Sequence, residues 1–303
     1  MPRKQKHGSP GSSRAQRRFA RAAEWIHEQS ALEAGTIGFQ MSALVQATLP
    51  HSDPRDATEH VRTNGLTTLY VIAPSGIGLP YGSLPRLILI WLATQAVRLK
   101  SREILLGDHM IDWLRSLGYR GASGGSGNID RIRDQMTRLQ HATIMVSRID
   151  QSEVSSAHIE PIHAAQLYWR RDGVNGASVV QLAEDYYERL LAAPVPVDWR
   201  AIEALRQSPL ALDMYVWMTY RYSTLWKDTA IPWAAIQAQF GCEYEATSRG
   251  QSNFRNDARR ALRRISVLCS SWRYVANNPD RLVLRPSPPH VPRRHPLRKE
   301  ASG

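Results

Sequence analysis

Cysteine is nearly absent. Cys242 and Cys269 are the two in 303 residues, too few for a disulfide framework or a multi-cysteine zinc module. Both lie beside apolar residues, the setting of a buried free thiol. Long hydrophobic runs are missing as well. The longest, 84–99, is interrupted by Arg86 and falls short of the ~20 residues needed to span a bilayer. No apolar signal core follows the basic N-terminus, so the sequence reads as soluble and cytoplasmic. Acid is scarce at the two ends. Residues 1–21 hold Arg3, Lys4, Lys6, Arg14, Arg17, Arg18 and Arg21 with no Asp or Glu. Residues 285–303 set Arg285, Arg293, Arg294, Arg298 and Lys299 against Glu300. These ends supply eleven of the twelve net positive charges and leave residues 22–284 at +1. A uniformly basic nucleic-acid coat is therefore excluded, and a binding face in the core must be a local concentration. What remains, 43% apolar and 22% charged, is ordinary globular material long enough for about two domains.

Residues 1–18 offer little to bury and read as a disordered basic arm. Phe19, Ala22, Ala23 and Ile26 recur at helical spacing and predict a helix within 18–32. Residues 50–65 read as a connector, 66–73 as a strand and 74–82 as a Gly/Pro loop. One pattern then occurs twice. Helix 84–100 leads through the short strand 103–107 to Asp108, a candidate N-cap. Helix 109–117 follows, stopped by Gly118, then a turn over 119–127, helix 128–141 and strand 143–149. In the second copy, helix 210–225 leads through 230–232 to helix 233–240, stopped by Gly241. A polar loop reaches helix 252–268, and a hairpin pairs 274–276 with 281–284. Pro85 precedes Gly118 by 33 residues and Pro209 precedes Gly241 by 32. Helix, strand, helix, turn, helix and hairpin is the winged helix-turn-helix order. The expected fold is α+β, mainly α: two tandem winged helix-turn-helix domains behind a disordered basic N-terminal arm. The expected divisions are 1–18 (arm), 19–65 (helix and connector), 66–193 (first domain), 194–290 (second domain) and 291–303 (basic tail). The alternating prolines of 193–197 mark the linker between the domains.

Helix 252–268 carries the chemistry. At about 100° per residue, Phe254, Ala258, Ala261, Leu262, Ile265 and Leu268 share one face. Ser252, Asn256, Arg259, Arg260 and Arg263 share the opposite one. Residues 249–264 hold six arginines against Asp257, a charge of +5 in a core whose total is +1. Arginine forks onto guanine or phosphate and asparagine pairs bidentately with adenine, in a groove that admits one helix. The expected DNA contacts are Ser252, Asn253, Asn256, Arg259, Arg260, Arg263 and Arg264, with Arg273 and Arg281 of the hairpin on the neighbouring backbone. Helix 128–141 mixes Arg131, Arg133 and Arg138 with Asp130 and Asp134. From it, Arg131 and Arg138 are expected on phosphates rather than bases.

Other motifs lack what their chemistry requires. Residues 121–127 (GASGGSG) have no following Lys-Ser/Thr and make a flexible turn, not a phosphate loop. His158 and Glu160 share a strand face from which His163 points away, so they do not form a metal set. A nickase needs a His-apolar-His metal pair near a nucleophilic tyrosine, whereas Tyr186 and Tyr187 lie in a helical pattern. The sequence indicates a non-enzyme with no cofactor and no metal.

At 79–107, LPYGSLPRLILIWLATQAVRLKSREILLG, the chain resembles the RepA-type replication initiators of bacterial plasmids. The same resemblance runs through Gln46-Ala47-Thr48-Leu49-Pro50-His51, Ser123-Gly124-Gly125, 131–139 (RIRDQMTRL), Ser208-Pro209-Leu210-Ala211-Leu212-Asp213, Ile231-Pro232-Trp233, 237–241 (QAQFG) and Pro286-Ser287-Pro288-Pro289-His290. It implies a bacterial, DNA-associated protein of two winged helices that binds direct repeats at a plasmid origin. It further implies help in opening an AT-rich tract and recruitment of host initiator and helicase. A homodimer is left open, and no membrane is involved. Two other classes stay open at this point, a transcriptional repressor of the same fold and a nickase-type initiator.

Overall fold

The computed structural model describes residues 14–46, 48–65, 67–107, 110–119, 126–149, 154–166, 178–241 and 243–292. The arm over 1–13, the N-cap at Asp108, the turn over 120–125, Cys242 and the tail from Arg293 onward lie outside the described residues. In chain order the elements are α1 (Arg14–Glu28), β1 (Ile37–Met41), α2 (Ser42–Gln46), β2 (Glu59–Asn64), β3 (Thr67–Ile72), α3 (Ser83–Leu99), β4 (Glu103–Gly107), α4 (Met110–Ser116), α5 (Ser126–His141), β5 (Thr143–Ile149), β6 (Val154–Ile159), β7 (Ile162–Gln166), β8 (Ser178–Leu182), α6 (Glu184–Ala192), β9 (Pro194–Asp198), α7 (Trp199–Leu205), α8 (Pro209–Tyr222), β10 (Thr229–Pro232), α9 (Trp233–Phe240), α10 (Ser248–Leu268), β11 (Arg273–Val275) and β12 (Arg281–Arg285). Helices and strands are interspersed along the described chain. The fold is mixed α/β, with more strand than the mainly helical expectation.

In each half an apolar helix, buried nearly all round, supports the rest. α3 buries Leu84, Leu87, Ile88, Leu89, Ile90, Leu92 and Ala93. α8 buries Leu210 through Thr219 without a break and is capped by Ser208, whose Oγ accepts the Ala211 N–H at 3.2 Å, with Pro209 in its first turn. Each half then makes a three-stranded sheet of matching order. β10-β12-β11 places the strand that follows α8 against the last strand of the hairpin, and β4-β8-β7 does the same for the strand that follows α3. The expected hairpin strand 143–149 goes elsewhere. As β5 it joins β2, β3 and β6 in a four-stranded antiparallel sheet, with Leu69 opposite Val146. In the first half the hairpin that closes on β4 is β7–β8, later in the chain than expected.

Three other segments differ from the expectation. Residues 14–18 belong to α1 rather than to a disordered arm, because Phe19, Ala23 and Ile26 give that helix a face to bury against α7 and α10. Residues 59–64 are strand β2 rather than connector. The proline-alternating stretch is strand β9, paired antiparallel with β1 so that Gly38 faces Val197 and Met41 faces Pro194. In a strand, alternate N–H groups point to opposite edges. The Trp199 N–H donates to Thr36 O on the β1 side, at 2.9 Å, and the Asp198 N–H donates to the Tyr215 hydroxyl on the other, at 3.0 Å. Pro194 and Pro196 share the parity of Asp198, so the missing donors fall on the edge that packs against α8. A buried edge with two fewer donors to satisfy can stay dry. One continuous hydrophobic core runs from Ala23 to Leu284 through both halves.

Candidate nucleic-acid interface

α10 is built on the apolar stripe, and Phe254, Ala258, Ala261, Leu262, Ile265 and Leu268 are all buried. It begins four residues before the expected start, because Thr247 caps it: its Oγ1 accepts the Gly250 N–H at 3.1 Å. The added turn brings exposed Arg249 onto the basic side, a residue that the shorter helix left out. Ahead of α10, Gly241 closes the turn from α9. A Cβ there would stand 2.6 Å from Phe254 Cδ2, so the two helices meet at this angle only because the residue has no side chain.

The arginines of this helix divide into two groups. Arg259 is committed to the hairpin. Its Nε donates to Ala276 O at 2.7 Å, its Nη2 to Asn278 O at 3.1 Å, and its guanidinium lies 5.5 Å from the Trp233 ring centre. Arg255, which pattern reading passed over, donates to Pro279 O at 2.6 Å. Together they hold the hairpin tip against the helix. Arg264 points the other way, donating to Ala204 O at 3.1 Å and lying over the Phe19 ring of α1. Arg260 pairs with Asp257 at 3.2 Å across an exposed helix turn, a contact worth little in water. Arg263, Asn253 and Asn256 are exposed, and among the described residues their side chains have no hydrogen-bond or ion-pair partner. A cavity of about 300 Å³ between helix and hairpin is lined by Arg259, Arg263, Tyr274, Ala276 and Asn277. Ser252 is half-buried in the first turns of the same helix.

Of the hairpin residues, Arg281 is exposed beside the tip, where Asn278 Oδ1 accepts its backbone N–H at 3.1 Å. Arg273 is exposed but donates Nη2 to Pro286 O at 3.0 Å. In the first half, Arg138 is a clamp. Its Nε lies 2.9 Å from both oxygens of Asp134, its Nη1 donates to Leu79 O at 3.1 Å, and it lies over the Tyr81 ring. Arg131 is exposed on the same helix.

Glu160 and His163 are exposed, and among the described residues no group of three or more His, Cys, Asp or Glu side chains is arranged to hold a metal ion. Tyr186 is fully buried, and burial raises its phenol well above the ordinary value. Such a hydroxyl neither reaches DNA nor ionises for attack. Cys269 is a buried free thiol that burial holds protonated. Among the described residues no helix is long and apolar enough to cross a membrane.

The arrangement of these two halves is similar to the fold of domains 2 and 3 of RctB. A crystal structure of RctB residues 155–483 superposes with a TM-score of 0.50 and 13% identity, covering 81% of this chain and 97% of that one. The selenomethionine derivative of the same two domains gives 0.50 and 14%, covering 78% and 94%. No curated protein matches the chain. The family model for plasmid-encoded RepA protein matches residues 79–234, just over half of the sequence, and the chain belongs to that family of plasmid replication initiators. The match ends before α10, so the arginine face of that helix is an observation independent of that match.

Proposed function

We propose that this protein initiates plasmid replication by binding repeated sites at the origin through two winged helices, with α10 as the principal base reader. The observation that carries this reading is the division on α10. Asn253, Asn256 and Arg263 stand exposed with no partner among the described residues, while Arg255 and Arg259 hold the hairpin beside them. A helix with free bidentate donors and a braced wing fits a major groove about 12 Å wide with the wing on the adjacent phosphates. Ser252, Arg249 and Arg260 flank the readers, and Arg273 and Arg281 lie with the wing. Arg264 supports the far end of the helix. In the first half Arg131 takes a phosphate, and Arg138 ties the loop at Leu79 and Tyr81 to α5. Binding then deforms the DNA, helps open an AT-rich tract and brings in host initiator and helicase, steps in keeping with the resemblance to plasmid initiators. The mode of action is binding and deformation rather than covalent chemistry, a reading supported by the inaccessibility of Tyr186.

The test is Arg263→Ala in a gel-shift titration against the cognate origin. Specific binding should weaken by about 1–3 kcal/mol while non-specific binding changes little. Equal weakening on both kinds of DNA makes Arg263 a phosphate contact. An unchanged specific affinity removes α10 as the reader.

A further inference from the structure

The two halves are not tethered loosely. Arg86 stands on α3 of the first half and Asp213 on α8 of the second. They meet in a bidentate pair, Nε to Oδ1 at 2.7 Å and Nη2 to Oδ2 at 2.8 Å, with both side chains buried. His51 of the connecting segment completes the group, its Nε2 lying 2.7 Å from Asp213 Oδ2. The remaining Arg86 donors go to Pro50 O, Gly82 O and Leu49 O at 3.0, 2.6 and 2.5 Å. Each helix-turn-helix is also gripped at its turn by another part of the chain. In the second half, Glu243 lies between α9 and α10. It accepts the His51 and Ser52 N–H groups at 2.6 and 2.7 Å and the Ser52 hydroxyl at 2.8 Å. Gln239 of α9 donates to Gln46 O at 2.9 Å. In the first half, Arg206 donates to Gly118 O just after α4 and lies over the Tyr119 ring.

From these contacts we infer that the Arg86–Asp213–His51 group and the Ser52–Glu243 clamp make the two halves a ruler, fixing α5 and α10 at one separation so that the protein accepts one spacing between the two DNA segments it touches. The inference rests on the reading that both halves contact DNA. Its physical basis is that one inserted base pair moves the second segment by about 3.4 Å and turns it by about 35°. A buried, fully hydrogen-bonded ion pair does not follow such a shift without giving up its partners.

The experiment measures binding of the full chain, by fluorescence anisotropy, to cognate duplexes with zero to five base pairs inserted between the two segments mapped by footprinting. The wild-type protein should bind about tenfold or more weakly on a half-turn insertion. Glu243→Gln with Ser52→Ala, both near the surface, and the charge-free pair Arg86→Met with Asp213→Leu should flatten that profile. Their affinity for a duplex carrying the α10 segment alone should stay the same. Circular dichroism checks that each variant is folded, and the surface pair keeps the test open if the buried pair fails to fold. A spacing profile unchanged in folded variants overturns the ruler, as does a flat wild-type profile. A footprint confined to the α10 segment overturns the two-half reading, and the ruler falls with it.

Discussion

Side chains that look alike in the sequence do different work in the folded chain. His60 on β2 is buried beside Arg62 and donates Nε2–H to Thr48 O at 3.1 Å. Burial, with the Arg62 charge adding to it, lowers its pKa to about 4. Between about pH 4 and 6.5 the folded chain therefore holds fewer protons at this site than the unfolded chain, so falling pH favours unfolding. Stability should drop by roughly 3 kcal/mol across that window. His60→Gln, which keeps a donor for Thr48 O and cannot titrate, should flatten that part of a urea-unfolding profile against pH; an unchanged slope would place the proton elsewhere. Asp213 acts lower on the scale. Burial alone would raise its pKa, but Arg86 and His51 outweigh burial and hold it at about 2. Which arginines lie opposite the core of α10 was legible in the sequence, since the helical period gives that directly. Which of them are committed was not. A helical wheel for 252–268 cannot see carbonyls 276 and 278 returning to Arg259, nor can one for 128–141 see Leu79 O reaching Arg138 from far upstream. Arg86, read as an interruption of an apolar run, is the buried link between the halves.

At the scale of elements, local signals served well and long-range pairing did not. Helices α3, α9 and α10, the stops at Gly118 and Gly241, and strands β4 and β5 follow from apolar period, caps and glycine. The pairing of β1 with β9, and the departure of β5 from β4, depend on partners far off in the chain, and no periodicity carries that information. The two glycine stops share a position in the pattern but differ in cause. Gly118 has φ +83°, the left-handed region in which glycine is at ease, whereas Gly241 is needed for its close approach to Phe254. Gly241→Ala should accordingly force α9 and α10 apart. A destabilisation of about 1–3 kcal/mol is expected in a denaturant titration, with specific binding failing before the fold does. A variant as stable as the wild type would show that the turn gives way freely.

For the molecule as a whole, charge and topology act together. Most of the net +12 sits at the chain ends, and α1 presents exposed Arg14, Arg17 and Arg21, with Arg18 half-buried, on the side away from its buried Ala23 and Ile26. Replacing Arg14, Arg17 and Arg21 with Gln should weaken binding to all DNA sequences alike. It should also lower the slope of log affinity against log salt by roughly 0.9 for each phosphate that is no longer neutralised. An unaltered slope would mean that α1 faces away from the duplex. The same helix precedes β1, a strand whose partner comes about 160 residues later, since Ile37 pairs with Asp198. At roughly 5–20 residues per second, synthesis reaches that partner about 8–30 seconds after it passes β1. Until then β1 has an open edge, and the core shared by the two halves cannot close. The chain is therefore born in two instalments, and its N-terminal segment stays unfinished until most of the protein has been made.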